Sequence, residues 1–486
     1  MKKNTKIIIA MSSVIVVLGV VLGVILAQPS ENSSENANEN TDILLFDKSS
    51  LDVDDVTIKN AGGEYQILGY KYSEEAKADE NEEISMFYTM QGYENTLMSK
   101  YMTDNLVKEC QIVAATRLID KSGKKYSDYG LDKPSVEVTV IYSDNSKVNM
   151  YFGNEAPDKS GIYCRIDGNK NVYLVNSASV DMFFIDKLQL FDKTLTGELS
   201  DSENITLVEI SGKGYEKPII ISREKNGIIN SVYAMSSPFM EECDSSKTVD
   251  FAATFYSFTL SNVAGAEVKA DDIEKFGLAE PYMDIKISTD EGNNINILVS
   301  EQNSEGNCYI MNKDGNIIYK ADEDEFKYYN ETYRGFLGSS VYSPDIANAD
   351  LAEIFYEDKV YNYSIKREHQ LNDLYEENIV TYMYYNETAV DYTNLLRFVS
   401  SLSNAERTEE IPENLNGYEK IFYIKLTFGE TDYMLELYRN KENKTVAVVD
   451  GNIECVVDTE FVQKIIEQTE KISLPDGSVE TIEIET

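Results

Sequence analysis

The sequence predicts an α+β fold: an N-terminal transmembrane helix followed by tandem repeated units, each a mainly antiparallel sheet with a packed helix. Three observations lead to this prediction. One uncharged apolar run opens the chain, a glycine-containing block occurs twice before an alternating run, and an Asp-Gly turn recurs between pairs of alternating runs. Alternation with a period of two is typical of half-buried strands, and tight Asp-Gly turns join antiparallel neighbours.

The first element is the apolar run 7–27, which is preceded by Lys2, Lys3 and Lys6. Its length is enough to cross a bilayer as one helix. Because lysines precede the run and acidic residues follow it, residues 1–6 are expected in the cytoplasm and the rest outside. We therefore expect a single-pass protein of the cell membrane with an extracellular body. A cleaved signal peptide is the alternative, but bulky Ile25 stands where a cleavage site needs a small residue.

The second element is a linker over residues 28–45. As far as Asp42 it is rich in Asn, Ser and Glu and contains no apolar anchor. A segment of this composition buries too little apolar surface to fold, so we expect a flexible tether that lifts the body off the membrane.

The body then repeats a block in which an aromatic residue, Gly, Leu, two spacers and Pro precede an alternating run. The copies start 147 residues apart, at Tyr129 and Phe276. They read Tyr129-Gly130-Leu131-Asp132-Lys133-Pro134 and Phe276-Gly277-Leu278-Ala279-Glu280-Pro281. Each block is followed by a predicted meander of about four strands. A third, more divergent copy lacks the block but keeps the last hairpin. The hairpin turns are Asp167-Gly168-Asn169, Asp314-Gly315-Asn316 and Asp450-Gly451-Asn452.

A helix is predicted upstream of each meander, because apolar residues recur there at steps of three and four. The stripes are Met98, Met102, Leu106, Cys110 and Val113; then Val249, Ala253, Tyr256, Leu260 and Val263; then Tyr392, Leu395, Val399 and Leu402. Strand-like residues open each copy at 56–58, 205–208 and 354–356. We therefore divide the body into repeat unit 1 (46–197), repeat unit 2 (198–340) and a divergent repeat unit 3 (341–486).

Composition argues against several functions. The formal charge of -41 repels nucleic acid and anionic lipid, so neither is an expected partner. His369 is the one histidine and Trp is absent, so a Ser-His-Asp triad, a Cys-His pair or a His-rich metal site has no recognisable setting. We expect a protein that is not an enzyme, with no cofactor and with no catalytic, cofactor-binding or metal-binding residues. His369 is expected at the surface.

Acidic and cysteine residues leave two alternatives open. The clusters Asp52, Asp54 and Asp55, and 322–325, do not have the spacing of an EF-hand loop. A glycosidase-type carboxylate pair stays open, because such a pair is defined in space rather than by sequence spacing. The five cysteines contain no Cys-x-x-Cys and are predicted to be buried free thiols, with one disulfide as the alternative.

The chain resembles a known bacterial family, domain of unknown function 4340. The resemblance is carried by the two blocks, Tyr129 to Pro134 and Phe276 to Pro281, together with the hairpins 163–175 and 309–319. It covers roughly residues 46–340, and the remainder more loosely. It implies a membrane-anchored extracytoplasmic protein that accompanies ABC-type exporters of the gliding-motility auxiliary kind. The family has no established catalytic residues to transfer.

Two functions are therefore expected. The first is a non-enzymatic membrane-anchored accessory or scaffold protein beside an ABC-type transporter, with a permease as its membrane-protein partner. The second is a free-standing cell-surface binding protein for a cell-wall or small-molecule ligand. The chain has 34 tyrosines, a residue type favoured at interfaces. A tyrosine-lined cavity inside one repeat would favour the second function.

The anchor assignment predicts the mass of the mature protein. Because segment 7–27 is expected to remain attached, intact-mass measurement of the membrane-extracted protein should show residues 1–27 still present. A species that begins at Gln28 or later would contradict the uncleaved anchor.

Overall fold

The computed structural model describes residues 42–71, 86–200, 203–223, 227–371, 377–403, 411–475 and 477–480. The predicted tail 1–6, the predicted transmembrane helix 7–27 and the linker up to residue 41 lie outside these ranges. Within the described ranges, no helix has both the length and the apolar character needed to cross a membrane. The described strands form three sheets, and their pairings are antiparallel.

Unit 1 contains a nine-stranded sheet in the order β1-β5-β9-β8-β7-β6-β2-β3-β4. Helix α1 (Lys100–Gln111) lies between β4 and β5 in the chain. The strands are β1 (Ile43–Asp47), β2 (Val53–Asn60), β3 (Gly63–Lys71), β4 (Met86–Met90), β5 (Ile112–Asp120), β6 (Val136–Tyr142), β7 (Lys147–Glu155), β8 (Ile162–Ile166) and β9 (Val172–Val175).

The start of β1 corrects the end of the predicted linker. Ile43 to Leu45 were assigned to the tether 28–45, but they pair with β5, and Leu45 and Phe46 pack against the core. Four apolar residues at 43–46 are enough to add an edge strand to a sheet that already exists.

Unit 2 contains a second nine-stranded sheet, in the order β13-β12-β11-β10-β15-β16-β17-β18-β14. Its helices are α2 (Ser245–Thr254) and the short α3 (Ala270–Lys275). The strands are β10 (Ile205–Ser211), β11 (Ile219–Arg223), β12 (Tyr233–Ser237), β13 (Glu241–Cys243), β14 (Asn262–Ala266), β15 (Met283–Thr289), β16 (Ile295–Val299), β17 (Cys308–Asn312) and β18 (Ile317–Ala321).

Unit 3 contains an eight-stranded sheet, in the order β22-β21-β20-β19-β23-β24-β25-β26. Its helices are α4 (Tyr392–Ser403) and α5 (Thr459–Thr469). The strands are β19 (Leu351–Tyr356), β20 (Lys359–Leu371), β21 (Glu377–Tyr385), β22 (Thr388–Val390), β23 (Tyr418–Phe428), β24 (Thr431–Asn440), β25 (Thr445–Val449) and β26 (Asn452–Val457).

The same chain path recurs in the three units. An opening strand (β2, β10 or β19) pairs with the next strand, which pairs with a third, and a helix follows. A four-stranded meander then starts on the other side of the opening strand, at β6, β15 or β23. This confirms the predicted repetition of mainly antiparallel units with few helices.

The core follows from alternation along the first strand of each meander. Val136, Val138 and Val140 on β6 are almost fully buried, while the residues between them are only partly buried. β15 and β23 show the same alternation. Because successive side chains of a strand point to opposite faces, one face of each sheet is buried and the other is more exposed.

The repeated block begins with a left-handed turn. Gly130 and Gly277 have φ of +71° and +72°, a conformation that favours glycine, and Leu131 and Leu278 after them are each 1% exposed. The aromatic residue that opens each block packs edge-on against a ring of the third meander strand. The ring pairs are Tyr129 with Tyr163, at 4.9 Å, and Phe276 with Tyr309, at 4.7 Å.

Two of the three predicted helix stripes are largely confirmed and one is wrong. Leu106 and Cys110 of α1, and Leu395, Val399 and Leu402 of α4, are buried. In α2 the predicted residues Val249 and Ala253 are exposed, whereas the buried residues are Thr248, Phe251 and Ala252. The stripe was extended through Tyr256 to Val263, but α2 ends at Thr254, so those residues do not share a helical face with Val249.

Backbone hydrogen bonds join units 1 and 2. The segment that follows the meander of unit 1 runs beside the segment that follows α2. Leu195 N donates to Phe258 O (2.7 Å), and Leu260 N donates to Lys193 O (2.9 Å). Tyr319 of β18 adds a hydroxyl bond to Thr194 O (3.0 Å). The buried apolar residues of the two units form one continuous cluster.

Units 2 and 3 are joined in a similar way. Asn230 N donates to Ser343 O (2.9 Å), and Asp345 N donates to Ile228 O (2.7 Å). Within unit 3, the neighbouring Tyr342 is fully buried, stacks on Tyr433 with ring centroids 4.8 Å apart, and donates its hydroxyl to Tyr433 O.

The five cysteines, all within the described ranges, are buried and form no disulfide, as predicted. They lie on five different elements, and each packs into an apolar core. Burial raises the pKa of the Cys110, Cys164 and Cys308 thiols, which makes these sulfurs poor nucleophiles.

Glu109 of α1 is a partly buried acid with an unusual titration. Met182 N donates to its Oε2 (3.1 Å), and the Asp181 carboxyl lies beside it. Burial, reinforced by hydrogen bonding to Asp181 and by its negative charge, raises the pKa of Glu109 to about 9. The folded protein therefore holds a proton that the unfolded chain releases above its ordinary pKa of 4.5.

This shift predicts a pH-dependent stability. Since the folded pKa is raised, the contribution of Glu109 is fully present below about pH 4.5 and is lost as pH rises through about 9. Glu109→Gln keeps a neutral side chain and should stabilise the fold at pH 8 by at least about 1 kcal/mol. Chemical denaturation at pH 5 and pH 8 measures this effect. A difference between variant and wild type that does not grow with pH would contradict the shift.

Candidate ligand-binding site

The first two strands of the three units are joined by turns of very different length. Two residues, 61–62, join β2 to β3, and Glu357 and Asp358 join β19 to β20. Both of the latter have positive φ, as a tight hairpin turn requires. In unit 2, seven residues join β10 to β11. We call this segment the 212–218 loop.

The 212–218 loop is fixed to the strand that follows the Phe276 to Pro281 block. Lys213 N donates to Pro281 O, and Gly214 N donates to Tyr282 O, both at 3.0 Å. Gly212 has φ of +120°, and a Cβ there would lie 2.5 Å from Tyr282 O. A Cβ on Gly214 would lie 2.7 Å from the Tyr282 ring. Glycine at both positions lets the loop lie directly on Tyr282.

Two side chains of the loop add to this attachment. Lys213 Nζ lies 2.8 Å from the Glu280 carboxylate, and this hydrogen bond holds the pKa of Glu280 below its usual value. Tyr215 donates its hydroxyl to Glu331 O at 2.8 Å. Lys213 reaches the repeated block and Tyr215 reaches the segment after β18, so the loop is held on two sides.

A cavity of about 570 Å³ lies beneath this loop. The loop forms one wall, the turn between β12 and β13 forms another, and Tyr282 and residues 330–333 complete the cavity. Its half-buried aromatic side chains are Tyr215, Phe239, Tyr282 and Tyr333. Glu216, Lys217 and Asn330 are exposed at its rim.

Contacts between side chains fix the rings of the cavity. Tyr282 stacks on Tyr329 with centroids 4.7 Å apart and an interplanar angle of 8°. Phe239 meets Tyr333 nearly edge-on, with centroids 5.7 Å apart. The Lys217 ammonium lies 5.4 Å from the Phe239 centroid, in cation–π range. The rings thus present a preformed apolar corner with polar groups around it.

The hydroxyls of Tyr215 and Tyr329 are neutral, because the pKa of each lies above its ordinary value. Burial is the largest cause that raises the pKa of each. Tyr329 accepts a hydrogen bond from Gln302 N (2.9 Å), and Tyr215 donates to Glu331 O. Both hydroxyls are therefore engaged within the protein.

One wall of the cavity also contacts unit 3. The Tyr333 hydroxyl lies 3.4 Å from Asn452 Oδ1, and Arg334 Nη2 donates to Ile453 O at 3.0 Å. A ligand in contact with the Tyr333 ring would therefore lie beside the junction between units 2 and 3.

A second cavity of about 570 Å³ lies in unit 1, between β4 and the start of α1. Leu97, which lines it, is 68% exposed, and the neighbouring Tyr101 is 74% exposed. The loop at its rim is tied to unit 2, because Asn95 Nδ2 donates to one oxygen of Glu267 (2.6 Å) and Thr96 Oγ1 to the other (3.0 Å). The bond from Asn95 is the largest cause that lowers the pKa of Glu267.

The residues considered from sequence lie elsewhere. His369 is exposed on β20. Asp52 pairs with Lys71 at 2.8 Å, and Asp322 Oδ1 accepts the N–H groups of Asp324 and Glu325 in a local turn. Within the described ranges, no group of three or more His, Cys, Asp and Glu side chains is placed to hold a metal ion.

Sequence analysis identified no site residues and so missed this cavity. Four separate segments build it, and only Tyr282 directly follows a residue of the repeated block. One signal was available: seven residues separate the strand-like runs at 205–211 and 219–223, whereas the other units have two.

Comparison with known proteins gives one match. The family model described as Domain of unknown function (DUF4340) matches residues 89–271 and again 257–414. The chain belongs to this family. The second match extends through α4 into unit 3, beyond the region where the repeated blocks carry the resemblance. No curated protein and no solved structure matched the chain.

The packing of the loop on Tyr282 predicts the effect of one methyl group. Gly214→Ala places a Cβ against the ring, so the loop must move, at a cost of about 1–3 kcal/mol in unfolding free energy. Hydrogen exchange at the Lys213 and Gly214 amides should also accelerate. Gly197→Ala is the matched control, because a Cβ there meets no atom within 4 Å. Equal effects of the two substitutions would contradict the proposed packing.

Proposed function

We propose that this protein is a non-enzymatic binding protein that works outside the cell membrane and takes a ligand into the cavity of unit 2. Segment 7–27 would anchor it, with the N-terminus in the cytoplasm and the body outside. The single histidine and the buried thiols support a role without catalysis, because they leave few groups suited to nucleophilic or general-base chemistry.

The observation that carries this proposal is the 212–218 loop. In repeat proteins, insertions in single repeats map to loops that often form the binding face. Here the insertion brings Tyr215 over a cavity that is also lined by Tyr282 and Tyr333. A volume of about 570 Å³, apolar rings and a few polar groups match the general character of small-ligand sites. This is the tyrosine-lined cavity within one repeat that favours a binding protein.

A second candidate function is that of an accessory or scaffold protein beside an ABC-type transporter. The family resemblance supports it, and so does the exposure of Leu97 and Tyr101 beside the cavity of unit 1. Exposed apolar side chains next to a cavity are typical of protein contact sites. A flexible tether over 28–42 would have a root-mean-square span of roughly 20 Å, which keeps unit 1 close to a neighbouring permease.

Ligand binding predicts a thermal shift that depends on the loop. Full-length protein in detergent is heated with a library of small molecules and soluble cell-wall digests. A ligand at about 100 times its Kd should stabilise the fold by roughly 2.7 kcal/mol. A variant in which Asn-Gly replaces 212–218, copying the short turns of units 1 and 3, should not respond. Ile379→Ala, at an exposed side chain of unit 3, is the control and should respond like wild type. If the loop-replacement variant still shows the ligand-induced thermal shift, the cavity is excluded as the binding site.

The accessory role predicts co-purification. After crosslinking in native membranes, mild-detergent purification should recover a permease-type partner. The double substitution Leu97→Glu with Tyr101→Glu should reduce that recovery several-fold, because burying an unpaired charge at the centre of a contact costs free energy. Ile379→Glu is the control, since Ile379 is 55% exposed but lies in unit 3. Recovery of the protein alone, with its neighbouring genes expressed, would count against this role.

A further inference from the structure

We infer that the cavity of unit 2 takes a neutral saccharide, packed against Phe239 and Tyr333 with its hydroxyl groups meeting Glu216, Lys217 and Asn330. This inference rests on the proposed binding function and names the class of its ligand. Three rival classes of ligand are disfavoured: anionic ligands by charge, organic cations by a ring contact, and extended peptides by backbone hydrogen bonds.

Anionic ligands are disfavoured by charge. The described residues that line the cavity include two acids, Glu216 and Glu331, and one cation, Lys217, and the chain as a whole has a formal charge of -41. Phosphate-bearing ligands usually meet arginine clusters, helix N-termini or nests of free backbone N–H groups. Among the described residues that line the cavity there is no arginine, and the only helical start is that of the four-residue 3₁₀ helix Tyr333–Phe336. Three consecutive N–H groups of the 212–218 loop, those of Lys213, Gly214 and Tyr215, are bonded within the protein.

Organic cations are disfavoured by Lys217. An aromatic cage binds a quaternary ammonium group by offering ring faces to it. Here the Lys217 ammonium lies 5.4 Å from the Phe239 centroid, so Lys217 already makes a cation–π contact with that ring. A second cation beside it would meet direct repulsion.

An extended peptide is disfavoured by the backbone of the loop. Strand addition needs a row of free N–H and C=O groups. Lys213 N and Gly214 N donate to the carbonyls of Pro281 and Tyr282, and Tyr215 N donates to Gly212 O at 3.1 Å. Residues 213–215 of the loop therefore offer no row of free donors.

A neutral saccharide fits the groups that are present. A pyranose ring has C–H groups on its faces and hydroxyls around its edge. Phe239 and Tyr333 meet at 67° and form an apolar corner for the C–H groups. Glu216 accepts hydrogen bonds, Lys217 donates them and Asn330 does both, which suits hydroxyls that are donors and acceptors at once. The cavity is open to solvent on one side, so a longer glycan chain can extend from it.

The test is titration calorimetry on the full-length protein in detergent. The neutral probes are cellotetraose, maltotetraose and tetra-N-acetylchitotetraose, and the comparison probes are choline, ATP and tetra-alanine. We expect at least one neutral oligosaccharide to bind. Phe239→Ala should weaken it by about tenfold or more, as expected when a central aromatic contact is removed. The Asn-Gly loop variant should abolish binding, and Ile379→Ala, at an exposed side chain of unit 3, should leave it unchanged. Thermal unfolding of each variant separates loss of binding from loss of folding.

The outcomes separate the ligand class from the function. Binding of a neutral oligosaccharide that is lost in both cavity variants supports the inference. Binding of choline, ATP or tetra-alanine at the cavity, without saccharide binding, overturns the saccharide class but leaves the binding function standing. Saccharide binding that survives both cavity variants overturns this site. If no probe binds and no component of the library or the digests shifts unfolding, both proposals fail.

Discussion

Each unit must bury one wide face of a sheet, and a single helix is too narrow to cover it. Neighbouring strands lie roughly 4.8 Å apart, so eight or nine strands span about 35–40 Å. A helix with its side chains is only about 10–12 Å across. The segments after the meanders supply more cover, as Phe191 and Leu195 do in unit 1. Because Leu195 also bonds to the backbone of unit 2, the cover of one unit becomes its junction with the next. The units therefore depend on their neighbours, as in other repeat proteins.

This dependence limits where the units can differ. The strand order, the helix and the repeated block support the core, and changes there would expose apolar surface. The turns at the sheet edges are free of that constraint, since they lie at the surface. Units 1 and 3 keep two-residue turns between their first strands, whereas unit 2 has the 212–218 loop. A feature present in one unit and absent from its neighbours is not needed for the shared fold, which directs the search for function to this loop rather than to the repeated block.

Local patterns predicted most of the fold, and their failures have physical causes. The Asp-Gly turns and the alternation at Val136 to Val140 are set by neighbours in the sequence, and both were confirmed. The predicted stripe of α2 was wrong because the helix ends at Thr254. Phe255 there packs on other rings of unit 2, and its carbonyl accepts a hydrogen bond from Thr196 of unit 1, contacts that a sequence stripe does not contain. The cavity was not predicted, because Tyr215, Phe239, Tyr282 and Tyr333 are brought together only by sheet pairing and by the attachment of the loop to Tyr282.

The cavity of unit 2 lies beside the junction with unit 3. Tyr333 lines the cavity, and its hydroxyl lies beside Asn452 of unit 3, while the adjacent Arg334 donates to Ile453 O. A ligand packed on Tyr333 changes the surroundings of a ring that already belongs to the junction. Coupling between two sites requires contacts that differ between two states, and it is reciprocal. If the angle between units 2 and 3 alters the position of Tyr333, ligand binding and the change of that angle must influence each other by the same free energy. The short distance from cavity to junction makes Tyr333 the residue through which such coupling would act.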